Sequence, residues 1–449
     1  MYEGTTPKPL LLVGSLLISF ALTANLNAAG ANEAGGELEE FTVISAENFD
    51  SLRERTFEGH KVADLIPERL AWQIKDHGLK ITVKKSEPGG LPYDPRILEA
   101  TAKYSGAVSL DPETYEMSGY KAGIPFPDVD MNDPLAPVKV IYNYQYAQPR
   151  GDHFICPFTY VLIDGESGVN RIQEWRFNRY YMTGRVTGGP PVMGDGEVFH
   201  RSIFQATAPH DIKGLGFYAI HYNGPRLEDT WAYIRTVRRV RRLSGGAWID
   251  PIGSTDLLQD DVETWNAHPA WYSRYKLLGK KFVLAPANSQ GHLPDLNDRW
   301  AWRPGAEGLD AQFPRLQWET APHWNPKDVY EVREVYLTEA IPPEFHPYSK
   351  RTNWFDANNW RPYYGEGYDK KGEFWKWLHF ASKAYESQDG WVNPATGRPA
   401  IYMFSAWGVA SDWQRRHATM FNVGAGCAIN PPNVDQESVS LAELEAGGS

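Results

Sequence analysis

The chain has 449 residues, 42% of them hydrophobic, and a formal net charge of -11. Length and apolar content allow one large domain or two ordinary ones and exclude global disorder. The acidic balance excludes a nucleic-acid binder, whose phosphate contacts require a basic face.

Lys8 precedes the apolar run PLLLVGSLLISFALTA, and the small residues Ala28, Ala29 and Gly30 follow it. This is the layout of a secretory signal peptide, cut after Ala28 or Ala29. Residues 1–29 are thus expected to be removed and the mature chain exported, in a Gram-negative bacterium to the periplasm. A single membrane anchor would need about 20 apolar residues. Residues 30–43 read as a flexible leader, 44–432 as a single domain and 433–449 as a flexible polar tail. Cys156 and Cys427 lie too far apart for a CxxC motif. In an oxidising compartment they either pair or stay as two buried thiols.

Taken in order, Val62, Leu65, Ile66, Arg69 and Gln73 mark a helical period that Pro67 interrupts and Gly78 ends. Leu79, Ile81 and Val83 alternate as a strand. Leu98–Tyr104 reads as a short helix, and Pro125 and Pro127 make residues 119–130 a rigid loop. Val138–Tyr146 reads as a strand with Val138, Val140, Tyr142, Tyr144 and Tyr146 on one face. Strands follow at Phe154–Ile163, Ile172–Met182 and Leu215–Tyr222, the last ending in the turn signal Asn223-Gly224. Trp231–Val240 reads as one strand, with Trp231 and Tyr233 on the same face. Arg238, Arg239, Arg241 and Arg242 fall at or just past its end. Leu277–Lys281 reads as a tight connection, Val329–Leu337 as a strand, and Lys371–Tyr385 as a helix carrying Phe374, Trp377, Leu378 and Ala381 on one side. Many strands and few helices predict an α+β arrangement: a mainly antiparallel sheet with helices packed on one face.

The sequence holds no HExxH, no HxH and no GxSxG elbow. His210-Asp211 is the nearest thing to a catalytic dyad, but adjacent strand residues point to opposite faces. Asp260-Asp261 offers the paired carboxylates of glycoside chemistry. The plainer reading of that pair is a solvated loop. The arginine cluster suits an anionic headgroup or phosphate, or else pairs internally with Asp250, Asp256, Asp260 or Asp261. The aromatic stretch Trp354–Phe380 reads as a sugar-stacking surface, a cavity wall or core packing.

Several phrases are similar in content and order to a bacterial family named domain of unknown function 1329. They are FEGHKVADLIPERLAWQIKDHGLKITVKKS, LEATAKYSGAVSLD, AGIPFP, WAYIRTVRRVRRL, RYKLLGKKFVLAPAN, HPYSKRTNWFDANNW and YDKKGEFWK. Residues 291–326 match only loosely, and the tail with Cys427 falls outside the pattern. The resemblance implies an exported protein of the periplasmic lipoprotein-carrier superfamily, like outer-membrane lipoprotein-sorting proteins. The implied fold is a curved antiparallel sheet forming an unclosed barrel, with helices covering its concave face. Implied partners are an inner-membrane transporter of the resistance-nodulation-division type and an outer-membrane protein. No cofactor and no catalytic residue are implied.

A carrier must shield acyl chains or sterol rings from water, at roughly 25 cal/mol per Å² of apolar surface. The expected function is a periplasmic carrier or chaperone for a lipid, a sterol-like molecule or lipoprotein acyl chains. Tyr142, Tyr144, Phe217, Trp231 and Tyr233 are expected to line its cavity and Trp72 and Ile74 to plug it. Arg238, Arg239, Arg241 and Arg242 would form a polar rim. A one-residue register error would turn any of these faces outward. The alternatives are a secreted hydrolase acting on lipid or glycan and a non-catalytic envelope scaffold.

Overall fold

A computed structural model describes residues 36–87, 93–147, 151–235, 238–243, 247–289, 307, 312, 315–317, 320–423 and 426–448. The expected signal peptide and the first part of the leader lie outside them. The strands are β1 (Val43–Ile44), β2 (Thr56–Phe57), β3 (His60–Lys61), β4 (Ile81–Val83), β5 (Ser109–Leu110), β6 (Met117–Ser118), β7 (His153–Asp164), β8 (Gly168–Tyr181), β9 (Val198–Ala208), β10 (Gly216–Tyr222), β11 (Asp229–Ile234), β12 (Arg239–Arg242), β13 (Arg274–Ala285), β14 (Val329–Ile341), β15 (Lys350–Asp356), β16 (Pro362–Tyr368), β17 (Phe374–Glu386), β18 (Ile401–Asp412), β19 (His417–Val423) and β20 (Ala428–Ile429). The α-helices are α1 (Phe49–Leu52), α2 (Val62–Leu65), α3 (Glu68–Asp76), α4 (Pro95–Tyr104), α5 (Ala136–Tyr146) and α6 (Leu441–Gly448).

Two antiparallel meanders, β7 to β12 and β13 to β19, make up one curved sheet and are joined where β19 pairs with β7. β4 adds to β14 in parallel and carries β1. Among the described residues β12 pairs only with β11 and β13 only with β14, so the sheet is unclosed. Both faces of β7, β17 and β18 are largely buried. In β7, Phe154, Phe158 and Tyr160 point one way and Val161 and Ile163 the other, and all are under 9% exposed. One core joins α2 and α3 to Tyr330, Val335, Trp354, Tyr364 and Trp377 of β14–β17. A second surrounds α5.

Four assignments from sequence change, each for a stated reason. Residues 138–146 form helix α5, not a strand. Pro137 sits in its first turn, where a missing N–H costs nothing. Every residue of α5 except Lys139 and Gln145 is buried, so no polar face marks the 3.6 period. Residues 374–386 are strand β17, not a helix. It lies between β16 and β18, and eight consecutive residues in it are buried, which hides the alternation of two. Leu277–Lys281 is no tight connection but the middle of β13, where Gly279 (φ 147) carries a bulge. The supposed strand Trp231–Val240 is the hairpin β11–β12, with Trp231 opposite Arg242 and Ile234 opposite Arg239.

Within the expected leader, Leu38 is buried and its N–H bonds Thr56 O. In the expected tail, Val439 and Leu444 are fully buried and pack on Tyr180, Ile203, Tyr218 and Tyr233 of β8–β11.

Candidate functional site

The face of β8–β11 opposite α6 does not close onto a packed core. It faces a cavity of about 240 Å³, roofed by residues 250–266. Ligand pockets run at roughly 300–1,000 Å³, so this one suits a single chain or ring system better than a bundle of chains. Alternation sets the wall. Phe158 and Tyr160 of β7, Phe177 and Arg179 of β8, Phe204 of β9 and Phe217 and Ala219 of β10 share one face with Phe421 of β19. Leu257 and Val262 come down from the roof. Phe158, Trp175 and Phe204 stack around the wall, with Phe204 4.9 Å from Phe158 and 4.4 Å from Trp175. Gly408 lets Phe421 and Phe380 meet here, because a Cβ at 408 would collide with both rings.

An ionic network pins the roof. Asp260 and Asp261 are 0% exposed, which overturns the solvated-loop reading. The Arg351 guanidinium lies 2.8 Å from Asp260 Oδ2, and the Lys376 ammonium 3.7 Å from Asp261 Oδ2. Tyr348 donates to Asp261 at 2.8 Å, and His346 Nε2 is 3.2 Å from Asp260 Oδ2. Burial pushes the Asp260 carboxyl up, but Arg351, His346 and Tyr272 outweigh it and hold it at about 2. Glu263 (φ 52) and Thr264 (φ 67) take the left-handed backbone next to this network. Arg361 reaches Glu263 at 3.0 Å, and Asn353 donates to Thr264 O at 3.0 Å, so side chains from β15 and the turn after it hold an unfavourable conformation.

At its other end the cavity is polar and buried. Arg179 is 4% exposed and donates from Nε to Ser202 Oγ at 3.0 Å. Its guanidinium lies 4.9 Å over the Phe177 ring. Glu228, 7% exposed, sits 3.2 Å from His221 Nδ1. The His221 ring lies 4.1 Å from that of His200, tilted by 39°. Burial lifts the Glu228 carboxyl to about 7, with Arg179 offsetting only part of the rise. Burial, helped by Arg179, lowers His221 to about 3, so it is neutral. Among the described residues no group of three or more His, Cys, Asp or Glu side chains is placed to hold a metal ion.

Of the seven expected lining and plug residues, Phe217 lines this cavity. Trp231 and Tyr233 are one position out of phase with it; their strand offers Thr230 to the cavity and turns both aromatics toward α6. Tyr142 is buried on α5 and donates to Tyr115 O at 2.7 Å. Tyr144, also on α5, touches Glu263 behind the roof. Ile74 is buried in the α2–α3 core, and half-buried Trp72 packs on Trp413 at 4.4 Å. Arg238, Arg239, Arg241 and Arg242 are exposed on or beside edge strand β12. Arg242 pairs with Asp229, a partner outside the four aspartates expected, while Asp256 takes His417 at 2.7 Å. Charged side chains on an edge strand discourage pairing with another chain. Trp354, Tyr364 and Trp377 are plain core, with the last two stacked at 5.2 Å.

Sequence reading missed Arg179, Glu228 and His221. For Arg179 and His221 the signal is a charged or imidazole side chain on the same alternation as Phe177 and Phe217; Glu228, just before β11, has no such signal. Cys156, on the cavity wall, is bonded to Cys427.

The model of the family described as Protein of unknown function (DUF1329) matches residues 43–432. No curated protein matches. Solved structures of similar chains include a domain described as outer membrane lipoprotein-sorting from Vibrio parahaemolyticus and a DUF1329 family protein from Desulfovibrio piger. Each is 15% identical with a TM-score of 0.45, covering 70% of this chain and 100% of its own. A LolA superfamily protein from Nitrosomonas europaea is 14% identical with a TM-score of 0.33, covering 65% of this chain and 91% of its own. At such values the likeness says nothing of what this chain binds.

Proposed function

The chain belongs to the DUF1329 family, and for this member we propose a carrier that binds one hydrophobic ligand in the cavity beneath residues 250–266. The observation that carries the reading is the cavity wall. Phe158, Phe177, Phe204, Phe217 and Phe421 face a partly open cavity instead of one another's full packing surface. Burying roughly 200 Å² of apolar ligand there contributes about 5 kcal/mol before the cost of association. The ligand class is a lipid, a sterol-like molecule or an acyl chain. Tyr144 and Trp265 join helix α5 to the roof in one core, which supports helices helping to cover the concave side. Loading and release then work through states of the roof that differ in affinity.

The apolar start of the chain supports export to the periplasm, and so does the bond between Cys156 and Cys427. Delivery between an inner-membrane transporter of the resistance-nodulation-division type and an outer-membrane protein is the corresponding cellular role.

Titration with N-phenylnaphthylamine, a neutral fluorescent apolar probe, tests the reading. The wild type is expected to bind it, and Phe217→Asp, which places a charge in the cavity wall, to bind it at least tenfold more weakly. Equal binding by a folded Phe217→Asp contradicts the assignment. Glu228 favours one second reading. A carboxyl titrating near neutrality in a cleft is also how a catalytic base presents itself. Turnover of a p-nitrophenyl acyl ester that disappears in Glu228→Gln would establish a hydrolase instead.

A further inference from the structure

Arg179 is a buried cation that no carboxylate meets in a salt bridge among the described residues. Its Nε bonds Ser202, and its flat face rests on Phe177. Glu228 is the carboxyl that could balance it, yet Glu228 leans on His221 at 3.2 Å. An arginine serving as a true ion-pair partner would hold that carboxyl below its ordinary value, as Arg351 does for Asp260. Glu228 instead rises to about 7, so near neutral pH it is no full counter-charge. Buried charges are kept where they are paired or where they meet a ligand. Arg179 lines the cavity, and also the small polar pocket beside it, which Gln145, His200 and His268 help to line.

We propose that Arg179 receives the carboxylate of a single-chain carboxylic acid, whose hydrocarbon tail lies along Phe158, Phe204, Phe217 and Phe421. The inference rests on the carrier reading and names its ligand class. The guanidinium fork matches a carboxylate in two parallel hydrogen bonds. With Nε taken by Ser202, the terminal nitrogens supply that edge. The cavity's size admits one tail.

The test compares cis-parinaric acid with its methyl ester by fluorescence titration of the purified full-length protein. Measurements are made at pH 6, above the ordinary range of a carboxylic acid and about one unit below Glu228. A charge-assisted hydrogen bond contributes enough for the wild type to bind the acid about tenfold or more tightly than the ester. Arg179→Met is expected to abolish the preference and bring acid and ester to the same affinity. Arg179→Lys keeps the charge without the fork and retains part of the preference. Equal affinity for acid and ester in the wild type overturns the proposal even if no variant folds. So does an equal loss of both in Arg179→Met. Failure of the wild type to bind either probe defeats the carrier reading itself, and this inference with it.

Discussion

Asp260 and Glu228 are both buried carboxyls with an arginine in the neighbourhood, and they behave in opposite ways. Asp260 meets Arg351 at 2.8 Å, with His346 and Tyr272 completing its shell, and its carboxyl falls to about 2. Glu228 has a neutral imidazole beside it, with Arg179 turned toward the cavity, and its carboxyl rises to about 7. The first pair is complete and holds the roof in place. The second is open, and the opening faces the cavity. Burial alone therefore does not mark a functional charge; burial with an unfilled partner position does.

The largest effect that sharpens this contrast is on stability. Arg351→Met leaves Asp260 charged and unpaired, and should lower unfolding free energy by about 3–5 kcal/mol in urea denaturation. Arg179→Met removes a cation without a counter-ion and should cost far less. Equal losses in the two variants would erase the distinction.

Next is pH. Glu228 titrates above its unfolded value of 4.5, so its contribution is fully present below 4.5 and is lost as pH rises through about 7. At about 1.4 kcal/mol per unit this reaches about 3 kcal/mol. Asp260 titrates below its unfolded value of 3.8, so its contribution is present above 3.8 and is lost as pH falls toward about 2. Glu228→Gln should flatten the loss of stability between pH 4.5 and 7.5 without altering the acid limb. A variant with an unchanged profile above pH 4.5 would rule out the raised carboxyl.

On the other face of the same strands, Leu444→Ala should cost about 2 kcal/mol or more by opening the contact of α6 with Tyr218 and Tyr233, and should leave ligand affinity alone. The smallest effect belongs to Phe217→Ala, half-buried against empty space. We expect little change in unfolding midpoint and about tenfold weaker probe binding, seen by fluorescence titration.

The strands β7, β8 and β10 were legible because turn signals bracket them and their apolar runs have strand length. So was the helix break at Pro67, which separates α2 from α3. Helix α5 and strand β17 were misread for one shared reason. Period is visible only where one face is polar, and neither element has such a face. The same limit hid the cavity. In β11 the large aromatics Trp231 and Tyr233 go to the packed face and the small Thr230 to the open one, so size pointed the wrong way. Asp260 and Asp261 looked solvated because their partner Arg351 lies 91 positions from Asp260, and no local spacing announces it.

The most direct test of the central claim is native mass spectrometry of the protein, purified without detergent. The account predicts a discrete added mass that organic solvent extracts and that Phe217→Asp loses. A clean ligand-free mass in the wild type, with no uptake of fluorescent lipid, would contradict it.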